Sequence, residues 1–86
     1  MYVIVVYDVG QKRVGKMLKL CRRYLTWIQN SVLEGELSEV QLTKLKGEAD
    51  HLMEAGDSLI VFKSREERWL EKEILGEERG STDQIL

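Results

Sequence analysis

Apolar residues dominate the first segment of the chain, Met1–Gly10, and run without a break from Tyr2 to Val6. The run is rich in β-branched residues, too short for a buried helix and closed by Gly10, so it predicts a β-strand. Its two alternating faces are both apolar, which is typical of a central strand that is covered on both sides. Asp8 adds a carboxylate at the carboxyl end of this strand, where open α/β sheets bind ligands. The alternative interpretation of Asp8 is a turn former or a cap for the next helix.

The segment Gln11–Leu25 repeats its apolar residues at helical spacing, which predicts a helix packed on the sheet. The chain has one cysteine, so an internal disulfide and a paired-cysteine metal motif are excluded, and that cysteine is expected to be a small buried side chain. The predicted buried stripe consists of Val14, Met17, Leu18, Cys21 and Leu25.

The same helix carries a basic face without an acid among its cations. A solvated helix normally mixes acids with bases, because like charges three or four residues apart cost a few tenths of a kcal/mol per pair. Two interpretations remain: a surface that binds nucleic acid or another polyanion, and a merely solvated face. The candidate nucleic-acid-binding residues are Lys12, Arg13, Lys16, Lys19, Arg22 and Arg23.

The middle of the chain predicts two short strands that meet at a bend or a hairpin, followed by a second helix. Thr26–Leu37 is rich in strand formers and divides at Asn30, and Gly35 within it indicates a bulge or a close backbone approach. Ser38 and Gln41 form a capping box, so the second helix is expected to begin there. Its predicted buried stripe is Leu42, Leu45, Ala49, Leu52 and Met53, and Gly56 is expected to end it as the C′ residue.

The last third of the chain predicts one clear strand and one ambiguous segment. Asp57–Lys63 is another continuous apolar run, which again favours a strand covered on both faces. Arg65–Glu78 contains strong helix formers, and its apolar residues fit a helix as well as a strand. The polar residues 77–86 are expected to form a mobile tail.

Composition is that of one soluble domain of 86 residues. No apolar run is long enough to span a membrane and no signal peptide is recognisable, so a cytoplasmic protein is expected. The net charge of −2 hides an uneven distribution, because residues 1–33 hold six basic residues and one acid. His51, the only histidine, lies on the polar side of the second predicted helix and is expected to be solvated.

The predicted order β, α, β, β, α, β is that of an α+β, ferredoxin-like sandwich with both helices on one face of an antiparallel sheet. The other sheet face is then left without cover. Because the two most apolar strands have two apolar faces, this second face is expected to pack against another copy of the chain.

Particular residues add to this pattern. Tyr7-Asp8-Val9 closes the first strand, Arg13 lies in the basic helix, the segment Gln29–Leu37 runs into a capped helix, and Asp57–Phe62 forms the last strand. Together, over residues 1 to about 76, they resemble the CRISPR-associated protein 2 family. Where that family usually has an aromatic residue, this chain has Leu33.

The resemblance implies a homodimer of ferredoxin-like domains packed sheet face to sheet face. It also implies an extra C-terminal strand, at about 69–75, that crosses to the partner's sheet, and on that basis Trp69–Leu75 is predicted as a strand within a domain of residues 1–76. The implied role is CRISPR adaptation, in which the dimer bridges the integrase, CRISPR-associated protein 1, and holds the captured DNA. For some members the resemblance implies a metal-dependent nuclease acting on RNA or double-stranded DNA, with Asp8 as catalytic residue.

One carboxylate per chain is a poor cation site, and dimer symmetry would improve it. Two Asp8 side chains meeting across a two-fold axis would supply the one or two carboxylates that Mg²⁺ typically takes. The alternatives are a toxin-type ribonuclease resembling the virulence-associated protein D family, and an RNA-recognition or ligand-binding module. The last ranks lowest because the RNA-recognition signature is absent.

Overall fold

The computed structural model describes residues 1–66 and 70–77 of the chain. The elements of that part are β1 Tyr2–Asp8, α1 Gln11–Arg22, β2 Thr26–Gln29, β3 Val32–Glu36, α2 Glu39–Leu52 and β4 Ser58–Ser64. The strands form one antiparallel sheet in the order β2-β3-β1-β4, with β1 in a central position. The predicted α+β class and the ferredoxin-like order of elements are therefore confirmed.

The two helices cover one face of the sheet. Val3, Val5 and Tyr7 contribute to the core from β1 and are at most 3% exposed. Burial of a large aliphatic side chain contributes roughly 1.5–3 kcal/mol, so these contacts supply much of the stability of a small domain. The helix residues buried in the same cluster are Met17, Leu20 and Cys21 of α1 and Leu42, Leu45 and Ala49 of α2.

The buried stripe of α1 is rotated from the predicted one. Leu20 is buried, whereas Val14 is 42% exposed, so the predicted burial of Val14 is wrong. Only a narrow side of the helix, centred on Met17 and Cys21, meets the sheet. Val14 lies at the edge of that side, next to an open groove that also borders the β2–β3 hairpin.

The predicted end of α1 at Leu25 is also wrong, since the helix ends at Arg22. The amides of Arg23 and Tyr24 donate to the carbonyls three residues earlier, at 3.1 and 3.0 Å. Such bonds tighten the last turn and stop the helix. Leu25 is nevertheless buried, because the chain turns inward directly after the helix.

α2 begins as predicted and ends earlier than predicted. Ser38 and Gln41 form both hydrogen bonds of the capping box, at 2.9 and 3.1 Å. Gly56 is not the C′ residue, because the helix ends at Leu52. Instead Gly56, with φ of +91°, is the third residue of a turn closed by a bond from the amide of Asp57 to the carbonyl of Glu54. A type II turn requires a positive φ at that position, which favours glycine.

The β2–β3 hairpin turns at Asn30, as predicted, and Asn30 has a φ of +40°. The bulge expected at Gly35 is wrong, since the register shift lies between Trp27 and Gln29. The other interpretation of Gly35 is confirmed. A Cβ there would lie 3.2 Å from Cδ2 of Leu25, so the glycine permits a close approach.

The second sheet face, here called the outer face, is only partly covered. Its residues on β4 are exposed, with Ile60 at 51% and Phe62 at 57%. Some cover comes from residues 70–77, where Lys72 forms an ion pair with the buried Glu34 of β3. These residues form no strand in the single chain. The crossing strand at 69–75 would pair with a partner's sheet and stays a prediction, while Trp69 and residues 78–86 lie outside the described part.

A single carboxylate joins the loop after β1 to the turn before β4. Asp57, with a side chain only 4% exposed, accepts hydrogen bonds from Nε and Nη2 of Arg13 at 2.6 and 3.0 Å. It also accepts from the amides of Gly10, at 2.8 Å, and Glu54, at 2.9 Å. Four donors around one carboxylate fix both segments relative to each other. The position of the loop after Asp8 therefore depends on Asp57.

This contact predicts an acid-sensitive stability. The hydrogen bonds from Arg13, followed by that from the amide of Glu54, hold the pKa of the Asp57 carboxyl well below its ordinary value of 3.8. A carboxyl with a lower pKa in the folded chain contributes stability that is complete above its unfolded pKa and is lost as the pH falls towards its folded pKa. We expect Asp57→Asn to be less stable than the wild type at neutral pH and to lose less stability in acid. Denaturant unfolding between neutral pH and roughly pH 2.5 measures both effects.

Asp50→Asn is the matched control, because Asp50 is an exposed aspartate on α2. It should reproduce the stability of the wild type at every pH. Identical acid profiles for Asp57→Asn and the wild type would contradict the role given to Asp57.

Candidate functional site

Asp8 is the last residue of β1 and lies opposite Ser58 of β4. Its side chain is exposed, at the end of the outer face that also carries Ile4 and Val6. The helix-cap interpretation is wrong, because the N-cap of α1 is Gly10 and no side chain caps it. The loop that follows Asp8 is held by Asp57 instead. The position of the Asp8 carboxylate is thus set by β1 and not by a cap of α1.

The described part of one chain does not complete a metal site around Asp8. Within residues 1–66 and 70–77, no group of three or more metal-ligating side chains comes together. Mg²⁺ usually keeps several waters and takes one or two protein carboxylates. Asp8 alone offers one, and a second Asp8 from another copy would bring the number into the usual range. A Mg²⁺ site at Asp8 thus stays a prediction that depends on a second copy of the chain.

The arginines of α1 and its C-terminal end contact protein groups. Arg13 pairs with Asp57 and also lies 3.3 Å from Glu54. Arg23 forms an ion pair with Glu48 of α2, which also accepts a hydrogen bond of 3.0 Å from the hydroxyl of Tyr24. Arg22 places its guanidinium carbon 5.5 Å from the centre of the Trp27 ring, within the range of a cation–π contact. Although α1 has no acid of its own, Arg13 and Arg23 thus pair with acids from other parts of the chain.

The lysines of α1 differ from the arginines. Lys12, Lys16 and Lys19 are exposed, and no carboxylate of the described part lies within ion-pair distance of them. Three unpaired ammonium groups along one helix suit contacts to successive phosphates. The prediction that the six basic residues bind nucleic acid remains a prediction, for which these lysines are the most accessible members.

A groove that the sequence did not predict opens beside Asp8. It has a volume of about 350 Å³ and lies between α1 and the β2–β3 hairpin. Val14 and Leu18 line it from the helix, and Trp27 and Asn30 line it from the hairpin. The apolar character of Val14 and the turn signal of Asn30 were visible in the sequence, but nothing there predicted that Val14 is exposed or related the two residues to Asp8.

Four further side chains lie outside the candidate site, and their burial decides how each is interpreted. Cys21 is buried as predicted, and burial raises the pKa of its thiol to about 11, so the thiol is neutral and poorly reactive. His51 is exposed, as predicted. Leu33, where an aromatic residue was expected from the resemblance, is fully buried in the core opposite Val5. Tyr7 is also buried, and its hydroxyl has no hydrogen-bond partner among the described residues.

None of the helices in the described ranges has both the length and the apolar character needed to cross a bilayer.

The chain is similar to known proteins that all belong to one family. The family described as CRISPR associated protein Cas2 matches residues 1–72. A protein of Fusobacterium nucleatum named CRISPR-associated endoribonuclease Cas2 is 50% identical over 92 residues, covering 100% of this chain and 87% of that protein. A protein of Dictyoglomus turgidum with the same name is 48% identical over 87 residues, covering 100% of both chains.

Solved structures agree in fold. A crystal structure of cas2 has a TM-score of 0.78 and 38% sequence identity, covering 92% of this chain and 90% of the other. The crystal structure of Streptococcus pyogenes Cas2 has a TM-score of 0.72 and 28% identity, covering 88% of this chain and 100% of the other. The resemblance of residues 1 to about 76 is thus confirmed, and the chain belongs to the CRISPR-associated protein 2 (Cas2) family.

Proposed function

We propose that the chain acts in CRISPR adaptation as a cytoplasmic, nucleic-acid-binding homodimer that bridges the CRISPR-associated protein 1 integrase. We further propose that a pair of Asp8 carboxylates gives this dimer a Mg²⁺-dependent endoribonuclease activity. The observation that carries the proposal is the position of an exposed Asp8 at the end of a sheet face that is apolar and incompletely covered. Family membership and the endoribonuclease names of the relatives support it.

The outer face favours a second copy of the chain as partner. Ile60 and Phe62 lie side by side with Val6 and Ile4 of β1, so their exposed surface is continuous with half-buried strand residues. Apolar surface of this kind usually marks an interface, and a two-fold axis would cover the same face of both copies. If the two-fold axis runs along the direction of β1, this packing would place the two Asp8 carboxylates at the same end of the assembly.

The chemistry assigned to Asp8 is to hold a divalent cation together with its symmetry mate. A bound Mg²⁺ would lower the pKa of a water ligand and stabilise negative charge on a phosphate. The carboxylates would orient that ion, and the loop anchored by Asp57 would keep them in place. Lys12, Lys16 and Lys19 would bind the flanking phosphates of the nucleic acid, as would the basic residues near them.

The dimer is tested at the outer face. Phe62→Glu should prevent association, because it would bury a carboxylate against apolar side chains, whereas Val40→Glu should not. Val40 is the matched control, since it is 65% exposed on α2, away from the sheet. Sedimentation at micromolar concentration should give a dimer for the wild type and Val40→Glu and a monomer for Phe62→Glu. A monomeric wild type, or equal association of both variants, would contradict this interface.

The role of Asp8 is tested by Asp8→Asn with and without Mg²⁺. Without the ion two nearby carboxylates repel each other, so Asp8→Asn should melt at a higher temperature than the wild type. Mg²⁺ at 100 times its dissociation constant should stabilise the wild type by about 2.7 kcal/mol and leave Asp8→Asn unchanged. RNA cleavage should be lost in Asp8→Asn and retained in Asp50→Asn. Equal cleavage by Asp8→Asn and the wild type would show that the nuclease assignment is wrong.

The lysine contacts are tested by salt dependence. For double-stranded DNA, each lost phosphate contact should reduce the slope of log affinity against log salt by about 0.9. Lys16→Gln with Lys19→Gln should therefore lower the slope by about 1.8, since two contacts are removed. The control pair, Lys44→Gln with Lys46→Gln, removes two exposed lysines from α2. A slope that is the same for both pairs would mean that the lysines of α1 are merely solvated.

A further inference from the structure

Residues 70–77, here called the strap, lie across the outer face of the same chain. Leu70 borders a groove of about 240 Å³ together with Tyr2 and Ile4 of β1. Ile74 borders a second groove, of about 270 Å³, which also includes Ile4 and residues of β2 and β3. Because Ile4 belongs to a central strand and takes part in both grooves, the strap passes over the centre of the outer face.

The strap places every second residue against the sheet. Leu70 and Ile74 border the two grooves, and Lys72 between them forms an ion pair with Glu34 of β3. Leu75, the next residue after Ile74, is 98% exposed. An extended chain directs alternate side chains to the same side, so the strap is an extended segment laid on the surface of the sheet.

An ion pair holds the strap near its middle. Glu34 lies opposite Ile4 of β1, and its side chain is only 9% exposed, so its carboxylate is largely removed from water. A buried carboxylate is costly unless cations or hydrogen-bond donors compensate it. The strap supplies such a cation, the ammonium of Lys72, whose side chain is 32% exposed. Neutralising either partner should therefore favour release of the strap.

The remaining contact between the strap and the sheet is small. The strap forms no strand, so it adds no ladder of backbone hydrogen bonds to the sheet. Leu70 is 39% exposed, and Ile60 and Phe62 of β4 stay more than half exposed although the strap is in place. Segments with few buried apolar contacts open at a low cost in free energy. The strap therefore covers the outer face without being fixed to it.

We propose that the strap is an autoinhibitory element: closed by the ion pair of Lys72 with Glu34, it must leave the outer face before a second copy of the chain can pack there. The competition with a second copy rests on the proposed function. Strap and second copy would both cover Ile4, so they exclude each other. The affinity of the chain for itself is then reduced by the fraction of chains whose strap is open, and this fraction enters squared because two chains must open.

Closure of the strap is tested at a concentration low enough for sedimentation to show a monomer. An amine-acylating reagent should modify Lys72 of the wild type more slowly than the exposed Lys44 of α2, because Glu34 holds the Lys72 ammonium. In Glu34→Gln the rate at Lys72 should rise by roughly 2- to 13-fold, the range for one lost hydrogen bond, and the rate at Lys44 should not change. Asp50→Asn removes the same charge from α2 and should react like the wild type.

Sedimentation over a range of concentrations measures the effect of the strap on association. While the closed form predominates, Glu34→Gln and Lys72→Gln should each lower the dissociation constant of the dimer by roughly 5- to 160-fold, the square of the effect on one chain. Lys72→Gln changes only the strap and leaves the core intact, so this measurement does not depend on how Glu34→Gln folds. Lys44→Gln removes the same charge from α2 and should associate like the wild type.

The two measurements separate this inference from the proposed function. Equal acylation of Lys72 in the wild type and in Glu34→Gln would overturn the strap, even if the wild type forms the expected dimer. A dimer that neither Glu34→Gln nor Lys72→Gln tightens would also overturn it. If Glu34 protects Lys72 but neither the wild type nor any variant associates, closure of the strap stands and the proposed homodimer is wrong.

Discussion

The central strand β1 needs apolar cover on two faces, and the helices provide it on only one. Val3 and Val5 are fully buried beneath α1 and α2, whereas Ile4 and Val6 on the other face are only half-buried. Each 100 Å² of apolar surface removed from water stabilises a structure by about 2.5 kcal/mol. Covering this second face is therefore favourable. Residues 70–77 cover part of this face, and Lys72 among them forms an ion pair with Glu34. The outer face is thus the part of the described fold whose apolar residues are left exposed, at Ile60 and Phe62.

The basic residues at the start of the chain divide by chemical type. The arginines contact protein groups, since a planar guanidinium can form several directed bonds at once, as Arg13 does with Asp57. The exposed lysines carry compact, mobile charges and have no carboxylate partner among the described residues. One helix therefore anchors the loop after Asp8 on one side and presents positive charge to solvent on another. The arginines of this helix thus stabilise the fold, while its lysines are exposed to solvent.

Local signals in the sequence were sufficient for much of the fold. The two-sided apolar pattern of β1, the capping box at Ser38 and the turn at Asn30 each act within a few residues, so propensity and periodicity predict them. The end of α2 was misjudged because Gly56 serves a turn that depends on Asp57 rather than on the helix. Contacts between distant segments were not predictable in this way. Arg13 and Asp57 are 44 residues apart, and Arg23 and Glu48 are 25 apart.

At the candidate site too, the feature set by a local signal was predictable and the feature built from distant segments was not. Asp8 was identified because it is the sole polar break in an apolar strand and lies at its carboxyl end, where open α/β sheets bind ligands. The groove beside it was missed because its two walls come from a helix and a hairpin, and because Val14 fits a helical apolar stripe as well as Leu20 does. The sequence indicates which side chains are apolar, whereas the packing of the helix decides which of them is left exposed.

Because Cys21 is buried where α1 packs on the sheet, its chemical labelling can report how often α1 separates from the sheet. It is the sole thiol of the chain, and burial raises its pKa to about 11, so the neutral thiol predominates at pH 7. Alkylating reagents attack the thiolate, so modification requires that α1 first separates from the sheet. The rate of labelling then measures how often this interface opens under native conditions, without any added probe.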